Sequence, residues 1–255
     1  MIDLHSHLLP AIDDGSRSTE QSLRVLNRLG MRGVTDLVLT PHVRSSELDV
    51  DADDPLERRG AAFEMLRSSY ETGPTLHLGF EIMLDQPLPS WVVRDRRFSL
   101  AGSRYYLVEF PVTVVGAFAT RVLAEMVEQG FVPLVAHPER YQSCPADTVA
   151  AWHEAGARMQ VDATTLTRAT GRGHRARELL KRGLADVMAA DNHGGARCVA
   201  TGVDFLRERH AGRQADLLAL TNPRAVLDDC PLEPVPAATA LKETWVERLK
   251  RRTRG

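Results

Sequence analysis

The chain has 255 residues, 43% of them hydrophobic and 26% charged, with a formal net charge of −2. That length suits one large α/β domain or two small ones. The near-neutral balance gives no global pull toward nucleic acid or an anionic membrane, and no apolar run approaches the roughly eighteen residues of a membrane span.

From the N-terminus the pattern reads strand, loop, helix, repeated. Residues 2–4 form a short first strand. Residues 18–29 read as a helix with Leu23, Leu26 and Leu29 along one side. Ser18 with Gln21 supplies a capping-box start and Gly30 a C-terminal stop. Residues 34–39 are a buried strand ending at Thr40-Pro41-His42. Residues 45–54 are a polar, acidic connection, and 55–70 a helix over or beside the mouth of the fold. Residues 76–81 and 105–110 are the third and fourth strands, with a Pro- and Arg-containing stretch around Trp91 between them as a loop or small helix.

Residues 119–129 read as a helix closed by Gly130, and 131–137 as the fifth strand. A helix at 148–155 closed by Gly156 leads to the sixth strand, 158–163. A helix at 174–182 closed by Gly183 leads to the seventh, 185–191, and short helices follow to Leu220. Pro231 to Pro236 reads as the end of the folded body. From Ala238 the tail reads as a partly exposed helix with Leu241, Trp245 and Leu249 on one side and a basic end, Lys250-Arg251-Arg252-Thr253-Arg254. Residues 1–230 are thus expected as one unit and 231–255 as a tail. That tail is either a frayed, solvated terminus or a contact for an acidic partner or membrane surface.

Alternating β and α elements argue for a parallel sheet. Six strand-like runs end in, or run straight into, a metal-ligand residue: His5 and His7, His42, Glu81, Glu109, His137, and Asp191 with His193. An open doubly wound sheet places its ligand at one switch point, whereas a barrel collects side chains from nearly every strand end. The expectation is a closed or nearly closed seven-stranded barrel. A lone His-x-His is more often structural or on the surface, so the weight rests on the ensemble. Of nine histidines, His77, His153, His174 and His210 lie off the strand ends and carry no such expectation.

The ordered motifs resemble the polymerase-and-histidinol-phosphatase (PHP) family of metal-dependent phosphoesterases. The similarity is to its branch of bacterial tyrosine-protein phosphatases from capsule and exopolysaccharide gene clusters, the CpsB/YwqE type. The residues that carry it are Ile2-Asp3-Leu4-His5-Ser6-His7 with Asp13-Asp14-Gly15, Thr40-Pro41-His42, Gly79-Phe80-Glu81, Val108-Glu109-Phe110, Ala136-His137-Pro138-Glu139-Arg140-Tyr141 and Ala190-Asp191-Asn192-His193. Asn222-Pro223 resembles the family's closing segment.

The resemblance implies a distorted, TIM-like β/α barrel with three metal ions. His5, His7, Glu81 and Asp191 would hold the first. Glu81 would bridge to a second, held also by Glu109 and His137. Asp14, His42 and His193 would hold the third. Spacing alone does not decide between Asp13 and Asp14; the resemblance selects Asp14. A carboxylate at Glu109, where a common PHP pattern has histidine, favours manganese, iron or magnesium over zinc, and the resemblance points to manganese. Val43 stands where the branch often has a second histidine, and Asp162 where asparagine is expected.

Clustered divalent ions lower the pKa of bound water to about 7 and clamp phosphoryl oxygens during in-line displacement. Arg140 is the first candidate for a phosphate fork and Arg197 the second, because a planar guanidinium binds two oxygens at once. The plainer readings are a salt bridge for Arg140 and a surface charge for Arg197. His42 and Asp14 are candidates to assist a leaving group, although a phenolate, with a pKa of about 10, needs little help.

The cysteine mechanism of tyrosine phosphatases needs an Arg six residues after the Cys, and neither Cys144, Cys198 nor Cys230 has one. The odd number of cysteines without C-x-x-C spacing argues against a disulfide framework and for a reducing cytoplasm. The start, Met1-Ile2-Asp3-Leu4-His5, has no basic and apolar leader, so no signal peptide is expected. The implied substrate is the phosphotyrosine tail of a cognate bacterial tyrosine kinase. Asp49, Asp51, Asp53 and Asp54 would either repel an acidic peptide or select basic flanks. The alternatives are a small-molecule phosphatase acting on a compound such as histidinol phosphate, a nuclease, disfavoured by charge, and a non-catalytic metal-stabilised regulatory barrel.

Overall fold

A computed structural model describes residues 1–142 and 144–241. In chain order its elements are β1 (Ile2–Asp3), α1 (Thr19–Met31), β2 (Asp36–Leu39), β3 (His42–Arg44), α2 (Ser45–Val50), α3 (Asp53–Arg67), β4 (Thr75–Leu78), β5 (Glu81–Met83), β6 (Tyr105–Glu109), α4 (Gly116–Glu128), β7 (Val132–Ala136), α5 (Ala146–Glu154), β8 (Arg158–Asp162), α6 (Ala163–Leu166), α7 (Gly171–Lys181), β9 (Val187–Ala189), α8 (Val199–Glu208), α9 (Gly212–Asp216) and α10 (Asn222–Leu227). Three 3-10 turns lie between β5 and β6, within residues 90–102.

Every strand pairing is parallel, and among the described residues the strands form two sheets, β1-β2-β4 and β3-β5-β6-β7-β8-β9. The sequence led to the expectation of one closed or nearly closed, distorted barrel; among the described residues the hydrogen-bonded ladders form two parallel sheets and do not close. One break falls at Thr40-Pro41, between β2 and β3, where proline has no N–H to donate. Its counterpart falls at Gly79-Phe80, between β4 and β5. Single bonds still cross there, from Gly79 N to Leu39 O at 3.0 Å and from Glu81 N to Pro41 O at 3.1 Å. Between β9 and β1 the seam is one isolated bridge, Ser6 with Asn192, beside an Asp3 carboxylate that accepts from Ala190 N at 3.0 Å.

Alternation along the strands sorts side chains into two cores. Leu37, Leu39, Val108, Val135, Met159, Val161 and Met188 join a large cluster with the helices. Their neighbours Val38, Leu107, Leu134, Ala136 and Val187 form a second, smaller cluster with Ile2, Leu4 and Tyr105. Period two continues past this inner cluster into polar residues: Leu107 to Glu109, Val187 through Ala189 to Asp191, and Gln160 to Asp162. The inner apolar plug therefore ends where the polar site begins.

Helix α1 starts where Ser18 Oγ accepts from Gln21 N at 3.3 Å. The reciprocal half of the expected capping box is displaced: Gln21 Oε1 accepts from Arg17 N, and Gln21 Nε2 reaches Gly194 O at 2.9 Å. The helix runs through Gly30 to Met31, and Gly33, at φ 83°, is the left-handed residue that ends the turn. The connection expected at 45–54 contains α2, because Asp85, from far along the chain, caps it through Ser46 N at 3.1 Å and Ser46 Oγ at 2.6 Å.

The segment after Pro231 is partly exposed and closes the body. It packs against the body, with Val235, Ala238 and Leu241 buried and Ala238 N donating to Leu180 O at 2.9 Å. The helix expected onward from Ala238 falls at 242–255, outside the described residues. Among the described residues no helix is long and apolar enough to cross a membrane.

Asn222 anchors this segment. Fully buried, it donates to Asp186 O at 2.8 Å and Glu233 O at 2.9 Å and accepts from Glu233 N at 2.9 Å. Asn222→Ala leaves those backbone groups without partners and is expected to cost about 3 kcal/mol. Urea unfolding checks it: a midpoint equal to wild type would mean the anchor is dispensable.

Candidate metal centre

The polar site lies at the C-terminal ends of the strands and is centred on Glu81, which opens β5. Its Oε2 lies 3.1 Å from His5 Nε2, 3.2 Å from His7 Nε2 and 3.2 Å from His42 Nδ1, and its Oε1 lies 3.1 Å from His137 Nε2. Asp191 Oδ1 lies 3.3 Å from both His5 Nε2 and His7 Nε2 and 3.4 Å from His193 Nδ1. Asp14 Oδ1 is 3.4 Å from His42 Nε2 and from His193 Nε2. Glu109 reaches His42 Nδ1 at 3.3 Å and His137 Nε2 at 3.9 Å.

Backbone geometry delivers two of these side chains. His137 and Asp191 are non-glycine residues at positive φ, 34° and 50°, just past β7 and β9. A left-handed residue there costs of order 1 kcal/mol. Gly15 gives the first loop its path: a Cβ there would run into the His7 carbonyl, which accepts from Ser16 N at 2.9 Å.

Three groups of donors converge so that their ligand atoms lie within 4.8 Å of one another: His5, His7, Glu81 and Asp191; His7, Asp14, His42 and His193; and His42, Glu81 and Glu109. These groups take in eight of the nine sequence-predicted candidates, and the ninth, His137, adjoins them through Glu81 at 3.1 Å. The grouping differs from the expected one in detail. His42 faces Asp14 through one ring nitrogen and Glu81 with Glu109 through the other, and His7 contacts the outer group as well as the inner.

The donor set fits divalent cations. His5 Nε2 and His7 Nε2 face each other at 3.1 Å, although two neutral ring nitrogens that both present lone pairs repel. Asp191 Oδ1 is buried and has three imidazole nitrogens nearby, yet none meets it with hydrogen-bond geometry. A cation between them satisfies both. The mix of imidazole and carboxylate donors suits first-row divalent ions.

Without ions, the cluster holds its charge by shifted protonation. Burial disfavours the His5 imidazolium, but Glu81 and Asp191 outweigh it and lift the pKa to about 9. His7 is also buried, and contacts with Asp13, Asp191 and Glu81 raise it well above the ordinary imidazole range. Burial pushes Glu81 upward, yet its imidazole contacts hold it well below the usual carboxylate range. Asp191 is depressed in the same way, against burial, by His5, His7 and Arg140.

Three residues take orienting roles that the sequence reading did not assign. Asp13 Oδ2 holds His7 Nδ1 at 2.8 Å and accepts from His42 N at 3.2 Å, so the two adjacent aspartates divide their work. Gln160 Oε1 lies 2.9 Å from His5 Nδ1. Its signal was a polar residue two positions before Asp162 on the same strand face. Asp162 holds both candidate phosphate arginines. Its Oδ2 accepts from Arg140 Nη2 at 2.6 Å and lies 3.4 Å from Arg197 Nη1, while its Oδ1 caps α6 through Thr164 N and Thr165 N. Both arginines also bond Asp191 Oδ2, Arg197 at 3.0 Å. Both readings of Arg140 thus meet in one geometry: it is salt-bridged and it faces the cluster.

The histidines set aside from the site lie elsewhere in the fold. His77 pairs with Asp36 and His153 with Asp186. All three cysteines are free, and burial pushes the Cys144 thiol up to about 12, far from a thiolate nucleophile.

Comparison with known proteins accords with this centre. Residues 1–228 match the family model described as capsular polysaccharide synthesis, CpsB/CapC. Tyrosine-protein phosphatase YwqE of Bacillus subtilis (strain 168) is 28% identical over 199 residues, covering 76% of this chain and 77% of that protein. Tyrosine-protein phosphatase CpsB of Streptococcus pneumoniae is 25% identical over 244 residues, covering 90% of this chain and 99% of that one. A chain from the crystal structures of YwqE and CpsB, described as unique metal-dependent tyrosine phosphatases, shares the fold with a TM-score of 0.73 at 22% identity, covering 95% of this chain and all of that one. With a family match that takes in every ligand candidate, the chain belongs to the CpsB/CapC family of capsular polysaccharide synthesis.

Proposed function

We propose that this protein is a metal-dependent protein-tyrosine phosphatase that uses no cysteine nucleophile. Its substrate would be the phosphotyrosine tail of a cognate bacterial tyrosine kinase of capsule or exopolysaccharide synthesis, met in the cytoplasm. The observation that carries this is the clustering of eight imidazole and carboxylate residues in three overlapping groups, with His137 beside Glu81, in a member of a family whose relatives bear that name. The fold reading that goes with it is a distorted seven-stranded barrel in residues 1–230. It rests on the single bonds that continue across both ladder breaks and on the Ser6–Asn192 bridge.

Three ions, manganese by preference, would be held by His5, His7, Glu81 and Asp191; by Glu81, Glu109 and His137; and by Asp14, His42 and His193. Bound there, they supply an activated water and neutralise phosphoryl oxygens. The chain's own residues do the rest. Arg140 makes both its ion pairs through Nη2, which leaves its other N–H donors for a phosphate oxygen. Arg197 offers a second fork beside it. Asp162 and Asp191 fix both planes before substrate arrives, so little orientation is lost on binding. His42 and Asp14, on the exposed side, would assist the departing oxygen through a water they hold, since as ligands they have no proton of their own to give.

The test compares a phosphotyrosine peptide, p-nitrophenyl phosphate and histidinol phosphate, with manganese and with chelator. The expected outcome is manganese-dependent hydrolysis that favours the peptide and is lost in His137→Ala. Preference for histidinol phosphate would move the protein to small-molecule metabolism. Metal binding without hydrolysis of any ester would leave the regulatory reading. Asp162→Ala removes one of the two carboxylates that hold both arginines, leaving Asp191, and is expected to lower kcat by about tenfold to a hundredfold at unchanged metal content. A kcat equal to wild type would remove the Asp162 contacts from the chemistry.

Protonation gives an independent check. The His5 pKa of about 9 lies above the ~6.5 of an unfolded histidine. Its contribution to the ion-free fold is full below ~6.5 and is lost as pH rises through the folded value. Glu81 and Asp191, held low, lose theirs only in acid, as pH falls through their folded values. Ion-free protein should therefore lose thermal stability between about pH 6.5 and 8.5. Ions need neutral imidazoles, so manganese-loaded protein should gain stability over the same interval. Thermal unfolding with chelator and with manganese reads both slopes, and parallel slopes would count against a metal centre.

A further inference from the structure

A cavity of about 470 Å³ opens beside the metal-ligand cluster. Its inner wall is His42 and Glu109, and its outer wall Arg44, Met83 and Pro111. The outer residues follow from the strands. Arg44 stands two residues after His42, Met83 two after Glu81, and Pro111 two after Glu109. That spacing keeps each pair on one face of its extended segment. Register aligns the tier, pairing Arg44 with Met83 between β3 and β5, and Met83 with Glu109 between β5 and β6. The cavity is thus one step outward from the ligands on three neighbouring strands. A phosphoryl group held at the ligands would direct its ester substituent into this tier.

The walls select among substituents. Met83 offers a polarisable thioether and Pro111 a flat apolar ring, which suit an aromatic face. The volume is that of an ordinary small-ligand site. An alkyl phosphate is too short to fill it. The charges at the rim point the same way. Asp85 already accepts from Ser45 Oγ, Ser46 N and Ser46 Oγ, and Glu47 accepts from Arg44 N. The Arg44 guanidinium has no hydrogen bond or ion pair among the described residues. Asp49, Asp51, Asp53 and Asp54 do not line the cavity. Asp51 Oδ1 accepts from the Asp53 and Asp54 amides at the start of α3, and Asp54 pairs with Arg58.

Resting on the phosphatase reading above, we propose that this cavity is the leaving-group subsite, in which Met83 and Pro111 flank the aryl ring of a phosphotyrosyl peptide and Arg44 binds a carboxylate beside that tyrosine. The subsite makes an aryl ester a better substrate than an alkyl ester, and an acidic flank better than a basic one.

Steady-state kinetics on manganese-loaded protein tests both halves. The substrates are a phosphotyrosine peptide with glutamate flanks, the same peptide with lysine flanks, p-nitrophenyl phosphate and an alkyl phosphate. Arg44→Glu should lower kcat/KM on the glutamate-flanked peptide about tenfold more than on p-nitrophenyl phosphate, and should reverse the flank preference. Arg44→Gln should abolish the preference without reversing it. Met83→Ser should raise KM for all three aryl substrates severalfold more than for the alkyl phosphate. Metal content equal to wild type shows that each variant keeps its fold and centre. Variants with full metal content and unchanged substrate ratios overturn the subsite while wild-type hydrolysis leaves the phosphatase reading intact. A metal-loaded wild type that hydrolyses none of the four overturns both.

Discussion

The carboxylate of Glu81 is the constraint on which the structure turns. Fully buried, it faces four imidazoles, from His5, His7, His42 and His137, at 3.1 to 3.2 Å. Those rings come from three separate strand ends, His5 and His7 sharing one, so one side chain ties the first, second and fifth strand segments to the third. An isolated buried charge costs far more than any local packing returns. The cluster must be neutralised by protons on the rings or by cations between them. In either state the strand ends are held in register by electrostatics where the backbone ladders fail, at Thr40-Pro41 and Gly79-Phe80. A binding site here doubles as the missing piece of the sheet.

Most candidate ligands were legible in the sequence because they stand at or just past a strand-like run, where a hydrophobic stretch meets a polar residue; Asp14, on a turn, came from the resemblance alone. Glu109 after Leu107 and Asp191 after Val187 and Ala189 are period-two continuations of the inner core. What was not legible depends on partners far along the chain. Helix α2 forms in a segment that reads as an acidic loop because Asp85 caps it from some forty residues away. The ladders break where a proline removed a donor, a feature visible in the sequence but not weighed as a break. The division of labour between Asp13 and Asp14 is set by which carboxylate reaches His7 Nδ1, and no spacing rule distinguishes neighbours on a turn.

Asp162 illustrates how one substitution type can change meaning. An asparagine there could still cap α6 through its amide oxygen. It could not place a full negative charge between two guanidinium groups. As aspartate it is held below the usual carboxylate range, against its burial, by Arg140 and Arg197. The capping oxygen and the ion-pairing oxygen belong to the same carboxylate, so the helix start and the arginine planes are rigidly coupled. Arg140 in turn lies one residue from Glu139, whose Oε1 accepts from Asp162 N at 2.9 Å and closes the circuit between β7 and β8.

This pairing has a consequence for anion binding. Arg140 and Arg197 carry two positive charges, and Asp162 and Asp191 cancel them. The remaining ligand carboxylates, Asp14, Glu81 and Glu109, add negative charge that a phosphate dianion must approach. Protonated imidazoles offset part of it, but those protons are lost as pH rises, and the rings cannot keep them while ligating an ion. The protein alone is therefore a poor phosphate receptor, with arginines that are oriented but electrically spent. On the proposed reading, divalent ions would reverse the sign of the pocket and leave those orientations in place. Attraction for substrate would then come from the ions and direction from the arginines, so losing either would abolish turnover through different steps: binding in the first case, alignment in the second.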